Sequence, residues 1–418
     1  MYLFRHKVID SIIIFLLIMS TGGLLFVFNR NLLSISFCIF LVTVIFFSYN
    51  IKRNLTSASL MTLVSFLLLG LINYFFAITE QAINKYLFHL VTVVITILVL
   101  FHFLNNRSNK VFLDRLYFVL KLIAFHSLFN FLFFFLVKNN LTTITAAYHE
   151  CQTFQYLFFY TTEKSLIEVL GIEFCRNQGL FWEPGILQSF LNILFFLEAF
   201  VFKRNKKILL LVIFLILTTY STTGIALLLL QLFAYSYNQF RTSKLIPILA
   251  LIFVIPIYLI FKGNIYEKMK GENEYSFQKR LFDLTQPVFI AMENPLTGVG
   301  LDLLQFQKVR KEFYISDNAL STVNAFFGTE VKVEISEKGS SNSIMFLLAA
   351  VGFPTTIILL YMFINQQLIP YKKWLLMMIL IISVMSSPLL LRPFFFIFIC
   401  SGFIHIFYKI TSHQYKLS

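Results

Sequence analysis

The sequence predicts an all-α polytopic membrane protein of about twelve transmembrane helices, and three observations carry that prediction. Of the 418 residues, 58% are hydrophobic and 13% charged, whereas soluble domains run nearer ~45–50% apolar and ~25% charged. Apolar runs of bilayer-crossing length, roughly 20 residues, recur along the whole chain. Lys and Arg collect in short clusters between those runs. The composition, with 53 Phe, 9 Pro and 15 Gly, excludes a disordered chain and a disulfide-stapled mini-protein. The net charge of +14 reads as a topology signal, because it is dispersed among loops and forms no basic groove for nucleic acid.

The apolar runs fall at 8–28, 32–49, 55–77, 86–104, 116–137, 186–202, 206–220, 223–240, 245–261, 343–364, 373–391 and 393–410. Only Ser221 and Thr222 separate the seventh from the eighth. Together they exceed one bilayer crossing, so they read as two spans joined by a tight turn. With the amino terminus placed in the cytoplasm, one set of ends and loops holds 16 Lys and Arg. They lie at Arg5 and Lys7, Lys52 and Arg53, Arg107 and Lys110, and Lys203 to Lys207. The rest are Arg241 and Lys244, Lys372 and Lys373, and Lys409 and Lys416. The short loops of the other face hold 3, Arg30, Lys85 and Arg392. This asymmetry places both termini inside and the number of spans as even. The first run lacks a small-residue cleavage site and reads as an uncleaved span.

Two large loops remain within this single membrane domain (1–418), both on the outer face. The first is 138–185. The second, 262–342, is near neutral with 10 Lys/Arg and 11 Asp/Glu. Its helical periodicity at Phe277, Leu281, Leu284 and Val288 predicts a helix lying as a cap on the membrane surface. Within the spans, Lys121 and Glu198 are the charges to explain: Lys121 is placed to snorkel to the cytoplasmic interface, and Glu198 can alternatively form a structural pair with Lys121 or Arg115. Cys38 and Cys400 read as apolar filler. Cys151 and Cys175 share the first outer loop and can pair if that face is an oxidising periplasm. No C-x-x-C and no histidine cluster is present, so no metal site is predicted. Only His149, among seven histidines, falls in an outer loop. No nucleotide-binding, nucleophile-elbow or H-E-x-x-H motif occurs.

Four outer-face segments carry candidate chemistry. The first, Arg176 to Pro184, sets Arg176, Gly179, Trp182 and Glu183 at the mouth of the sixth span. Glu183 reads as a helix-starting carboxylate or as a reactive one. The second is the turn Thr219 to Gly224, whose Ser221 and Thr222 either satisfy backbone groups or meet a ligand. The third runs from Arg280 to Asn294-Pro295-Leu296-Thr297-Gly298-Val299-Gly300, where Gly298 and Gly300 allow close backbone approach. The fourth is Gly339 to Ser343, containing Asn342.

Their order and placement resemble the O-antigen polymerases and ligases, the Wzy-type membrane glycosyltransferases. The resemblance rests on R-x-x-G-x-F-x-E-P at 176–184, the Ser/Thr-Gly turn at 221–224, and Arg280 ahead of N-P-L-x-G-x-G. One departure separates the branches. Ligases usually carry His-Asn before the span after the large loop, and here the pair is Ser341-Asn342, which argues for a polymerase. The resemblance implies a donor glycan linked to undecaprenyl diphosphate and a lipid-linked acceptor in the bacterial inner membrane. It implies membrane lipids and a chain-length regulator protein as partners. No cofactor is implied, because the lipid diphosphate already activates the sugar. It assigns Arg176 and Arg280 to the diphosphate and Glu183 to the acceptor proton. Gly179, Trp182, Ser221, Thr222, Gly298, Gly300 and Asn342 fall to substrate binding. Transfer of polymer to lipid A-core is the alternative activity. A flippase or other transporter is the non-enzymatic one, although neither internal repeats nor a polar midplane path is evident.

Overall fold

The structure is a computed structural model, and it describes residues 2–47, 52–106, 108–145, 150–154, 159–161, 166–169, 171–239, 255, 258, 262, 274–327, 331 and 339–417. The chain is an all-α polytopic membrane protein, with 78% of the described residues helical. Helices α1 (Tyr2–Gly22), α2 (Leu24–Phe28), α3 (Arg30–Phe46), α4 (Arg53–Phe76), α5 (Ile83–Asn106) and α6 (Asn109–Val137) lead into the first large loop. Then come α7 (Pro184–Phe196), α8 (Lys206–Thr218) and α9 (Thr222–Gln239). The second large loop contains α10 (Glu274–Glu293), α11 (Leu303–Glu312) and α12 (Asp317–Phe327). Helices α13 (Ser343–Ile364), α14 (Lys373–Ser386) and α15 (Pro393–Leu417) close the chain.

Among the described residues, 6 helical segments are long and apolar enough to cross a membrane, and three shorter apolar helices accompany them. The expected span at 245–261 lies outside the described residues. The expected pair at 206–220 and 223–240 is two helices, turning at Thr219–Ser221 with Tyr220 at φ 45°. The first expected span is broken. Gly23 interrupts it and pairs with Phe181 in an isolated antiparallel bridge.

Two small antiparallel sheets occupy the first large loop, which hydropathy alone did not foresee. β1 (Thr142–Thr145), β2 (Glu150–Thr153) and β3 (Tyr160–Thr161) form one, ordered β1-β2-β3. β4 (Leu166–Val169) and β5 (Ile172–Cys175) form the other, around Gly171 at φ 77°. Cys151 in β2 packs with Leu24 and Tyr160, and Cys175 in β5 packs with Phe134, Val137 and Phe159. The expected bridge is therefore corrected. The two sulfurs sit in separate sheets and separate clusters, and no disulfide joins them.

Contacts group the chain into two units. Unit 1 comprises Met1–Leu33, Lys110–Tyr266 and Pro370–Ser383. Its α7 is buried throughout, and Gln188, Asn192 and Gln231 form a hydrogen-bonded ladder joining α7 to α9. Past α7 the backbone widens through a π turn, Leu197–Phe202. Buried Glu198 there accepts the Tyr117 hydroxyl and the backbone amides of Arg204 (2.6 Å) and Asn205 (2.5 Å). The expected Lys121 or Arg115 partner is corrected: amides of the following turn take the carboxylate, and Lys121 lies over the Tyr117 ring.

Unit 2 comprises Ser34–Asn109, Glu267–Ile369 and Val384–Ser418. Loops assigned by charge to the outer face meet at one end of it, with Ile78 N donating to Gly298 O and Ser343 Oγ to Ser387 O. Loops assigned to the inner face meet elsewhere, with Lys52 N donating to Asn105 Oδ1 and Asn109 Nδ2 to Gln367 O.

Candidate functional site

In unit 1 the segment Arg176–Glu183 is pinned from several sides. Asn177 Nδ2 donates to Ser127 O (2.9 Å) and Thr218 Oγ1 (3.2 Å). Leu24 N donates to Leu180 O, and Trp182 N to Gly22 O. Gly179 adopts φ 54°, and a Cβ there would stand 2.7 Å from Ser127 Oγ. Arg176 Nε donates to Thr219 O at 3.0 Å, so the arginine is fixed at the carboxyl end of α8. Trp182 packs onto the cluster of Leu24, Cys151 and Tyr160. Glu183 occupies the N-cap position of α7, yet its carboxylate makes no capping hydrogen bond to that helix. Pro184 at the first helical position already dispenses with one amide donor there. Ser221 serves α9 as a cap, its carbonyl accepting Ile225 N and its Oγ receiving Gly224 N. Thr222 is half-buried beside it. Gly224 faces Gln188 so closely that a Cβ would lie 2.9 Å from that side chain.

In unit 2 the Asn294–Gly300 loop docks against a break in α13. Gly352 leaves the helical region (φ 75°, ψ 175°), followed by Pro354. The carbonyls of Ala349 and Ala350 thereby lose helical donors. Val299 N (2.9 Å) and Gly300 N (2.8 Å) replace them, and Phe353 N donates to Pro295 O. Asn73 Nδ2 bridges Thr297 O and Ala350 O, while Thr79 and Gln81 hold Val299 O. Such irregular backbone is tolerated at membrane depth only where protein satisfies it. Gly298 and Gly300, expected at a substrate, face this scaffold. Their Cβ atoms would stand 2.4 Å from Ala349 O and 2.1 Å from Gln81. Below the loop lies an apolar cavity of about 230 Å³, lined by Tyr86, Leu90, Leu301, Val351 and Phe396 among others.

The helix expected over Phe277–Val288 exists as α10, with a different buried face. Phe282, Asp283, Gln286 and Ile290 are buried, whereas Leu281, Leu284 and Val288 are only partly so. The reason is a polar network. Asp283 Oδ1 accepts from Arg310 at 2.8 Å, and Oδ2 accepts from Lys279 (2.9 Å), Ser341 N (2.8 Å) and Ser341 Oγ (2.7 Å). Arg310 Nε donates to Gln286 Oε1 at 2.6 Å, and its guanidinium lies over the Phe282 and Phe306 rings. Both members of the Arg310–Asp283 pair have 0% side-chain exposure. Arg280, on α10, is exposed. Asn342 caps α13, its Oδ1 accepting from Ile344 N and Met345 N.

The structure thus brings Arg176, Gly179, Trp182, Glu183, Ser221 and Thr222 into unit 1 and Arg280, Gly298, Gly300 and Asn342 into unit 2. Asp283, Gln286 and Arg310 escaped the sequence reading. Only the Lys279–Asp283 spacing of four, which puts them on one helical face, signalled part of the network. His149 lies outside the described residues.

Residues 208–360 match the family model for O-antigen ligase (Wzy_C). That stretch includes the Ser221–Gly224 turn, Arg280, the Asn294–Gly300 loop and Ser341–Asn342, and it excludes Arg176 and Glu183. Comparison with curated proteins and with solved structures finds no match.

Proposed function

We propose that this chain is a membrane glycosyltransferase of the O-antigen polymerase and ligase type, acting in lipopolysaccharide biosynthesis. Its finer assignment is polymerisation of lipid-linked repeat units at the periplasmic face of the bacterial inner membrane. The observation that carries the reading is the match over 208–360, which encloses three of the four segments singled out by residue chemistry. In the reaction, a hydroxyl of the lipid-linked acceptor attacks the anomeric carbon of the growing glycan. The bond to undecaprenyl diphosphate breaks, and its electron pair leaves on the diphosphate. An arginine neutralises that developing charge, with Arg176 and Arg280 the two candidates, since a permanently ionised planar fork suits phosphate oxygens. Glu183, with no helix-capping bond to give up, takes the acceptor proton. The apolar cavity under the Asn294–Gly300 loop has the lining that a polyprenyl chain requires.

Ser341 in place of the ligase-type histidine favours the polymerase. The description of the matching family favours the ligase as a second reading. Deletion separates them. Loss of a polymerase leaves core bearing a single repeat, whereas loss of a ligase leaves bare core with lipid-linked polymer. Loss of a flippase leaves no repeat outside. Reporter tags at 325 and 205 should read periplasmic and cytoplasmic, and a cytoplasmic signal from 325 would sink the orientation.

A further inference from the structure

We propose that the buried Arg310–Asp283 pair is a positioning device that sets the rotation of α10, and with it the placement of Arg280. This inference rests on the reading of Arg280 as a phosphate ligand.

Asp283 joins three chain segments at one point. Its Oδ1 holds Arg310 of α11, and its Oδ2 holds both the amide and the hydroxyl of Ser341 in the turn before α13. Lys279 repeats the link, donating to Asp283 Oδ2 and to Gly339 O. Arg310 is in turn fixed by Gln286, which accepts its Nε proton and donates to its carbonyl at 2.9 Å.

Such a pair is not needed for stability alone. Burying two charges costs desolvation, and well-packed apolar residues commonly hold a core as well or better. What the pair supplies is direction. Each of its hydrogen bonds needs Asp283 inward, and Arg280, three residues earlier and so about 60° away around the helix, is held at the exposed edge of the same side. Rotating the helix by one residue would swing Arg280 by about 100°. The stripe Leu281, Leu284 and Val288 does not enforce this, being only half-buried; Phe282 and Ile290 share the inward side with Asp283, and the pair adds fixed direction to their packing. Asp283 and Arg310 therefore act through Arg280 and need not touch substrate.

The test is a kinetic comparison in proteoliposomes, using lipid-linked repeat units extracted from cells lacking the protein. The double variant Asp283→Asn/Arg310→Met removes both fully buried charges and leaves Lys279, whose side chain is 18% exposed, with its bond to Gly339 O. It should accumulate and melt like the parent. Its kcat should fall about ten- to hundredfold, as small misplacements of a reacting group do, with KM changed less than about threefold. A folded double variant with parental kcat overturns the proposal. Should that variant fail to accumulate, Ser341→Ala decides: kcat lowered about threefold or more supports positioning, the loss of one hydrogen bond being of that order, and parental kcat overturns it. Arg280→Ala in the same assay separates the two layers. Lost turnover there beside a normal double variant keeps the phosphate reading and ends the positioning one, and a parental rate overturns both.

Discussion

Arg176 donates its Nε proton to the carbonyl of Thr219 at 3.0 Å, tying the first arginine segment to the turn between α8 and α9. One nitrogen of the guanidinium therefore orients the group. Arg280, on α10, is exposed.

Both Arg176→Ala and Arg280→Ala should shorten or abolish the polymer, because removing one strong donor to a developing charge costs on the order of 10²–10³ in rate. Arg280→Ala should accumulate at the parental level. Arg176→Ala should also lose roughly 1 kcal/mol of stability with its bond to Thr219. Arg→Lys keeps charge without the planar fork and should rescue only partly. Lipopolysaccharide ladders, read beside membrane levels of each variant, check this. Normal ladders from both alanine variants would place the diphosphate elsewhere.

Glu183→Gln isolates proton transfer from helix starting. The native carboxylate makes no capping bond to α7, and the amide keeps its shape and its hydrogen-bonding reach, so the variant should still accumulate in the membrane. Polymer formation should nevertheless fall by about 10² or more, within the range that positioned bases contribute. A full-length ladder from this variant would remove Glu183 from the chemistry.

Gly298→Ala and Gly352→Ala should destabilise by about 1–3 kcal/mol each from the left-handed backbone alone. The overlap adds to this, since a Cβ at 298 would stand 2.4 Å from Ala349 O and one at 352 would stand 2.5 Å from Leu296 O. The measurement is the melting temperature in detergent with membrane abundance. Unchanged melting would mean that the loop does not dock on the break in solution.

Cys151 and Cys175 should both react with maleimide in unfolded, unreduced protein, because no bridge joins them. In the folded state Cys151 should label slowly at pH 8. Burial pushes its thiol up to about 11, so only about 10⁻³ of it is thiolate, the reactive form. Raising the pH should speed labelling until near that value. Protection of both cysteines in unfolded, unreduced protein would restore the disulfide.

Hydropathy was enough to locate the described membrane helices, because a span must satisfy its own backbone whatever its neighbours do. The tight turn at Ser221 was legible for that reason. Local pattern was weaker elsewhere. Four-residue strands such as Thr142–Thr145 exist only through their partners, and the Cys151–Cys175 spacing permits closure without saying which way either sulfur points. The stripe at Leu281, Leu284 and Val288 announced a helix and misplaced its buried side, because the deciding partner of Asp283 is Arg310, in the next helix and 27 residues on. The candidate site was legible as residue types, while the roles of Gly298, Gly300 and Asn342 in holding α13 required the structure.

The break in α13 has a consequence for biogenesis. Residues 294–300 leave the ribosome before 343–364, yet each segment holds backbone groups that only the other satisfies. Neither can settle in hydrocarbon alone, where each bare amide or carbonyl costs several kcal/mol. The loop must therefore wait in a wet or protein-lined place until α13 has been made, so this part of the bilayer domain assembles after synthesis has passed it and not span by span.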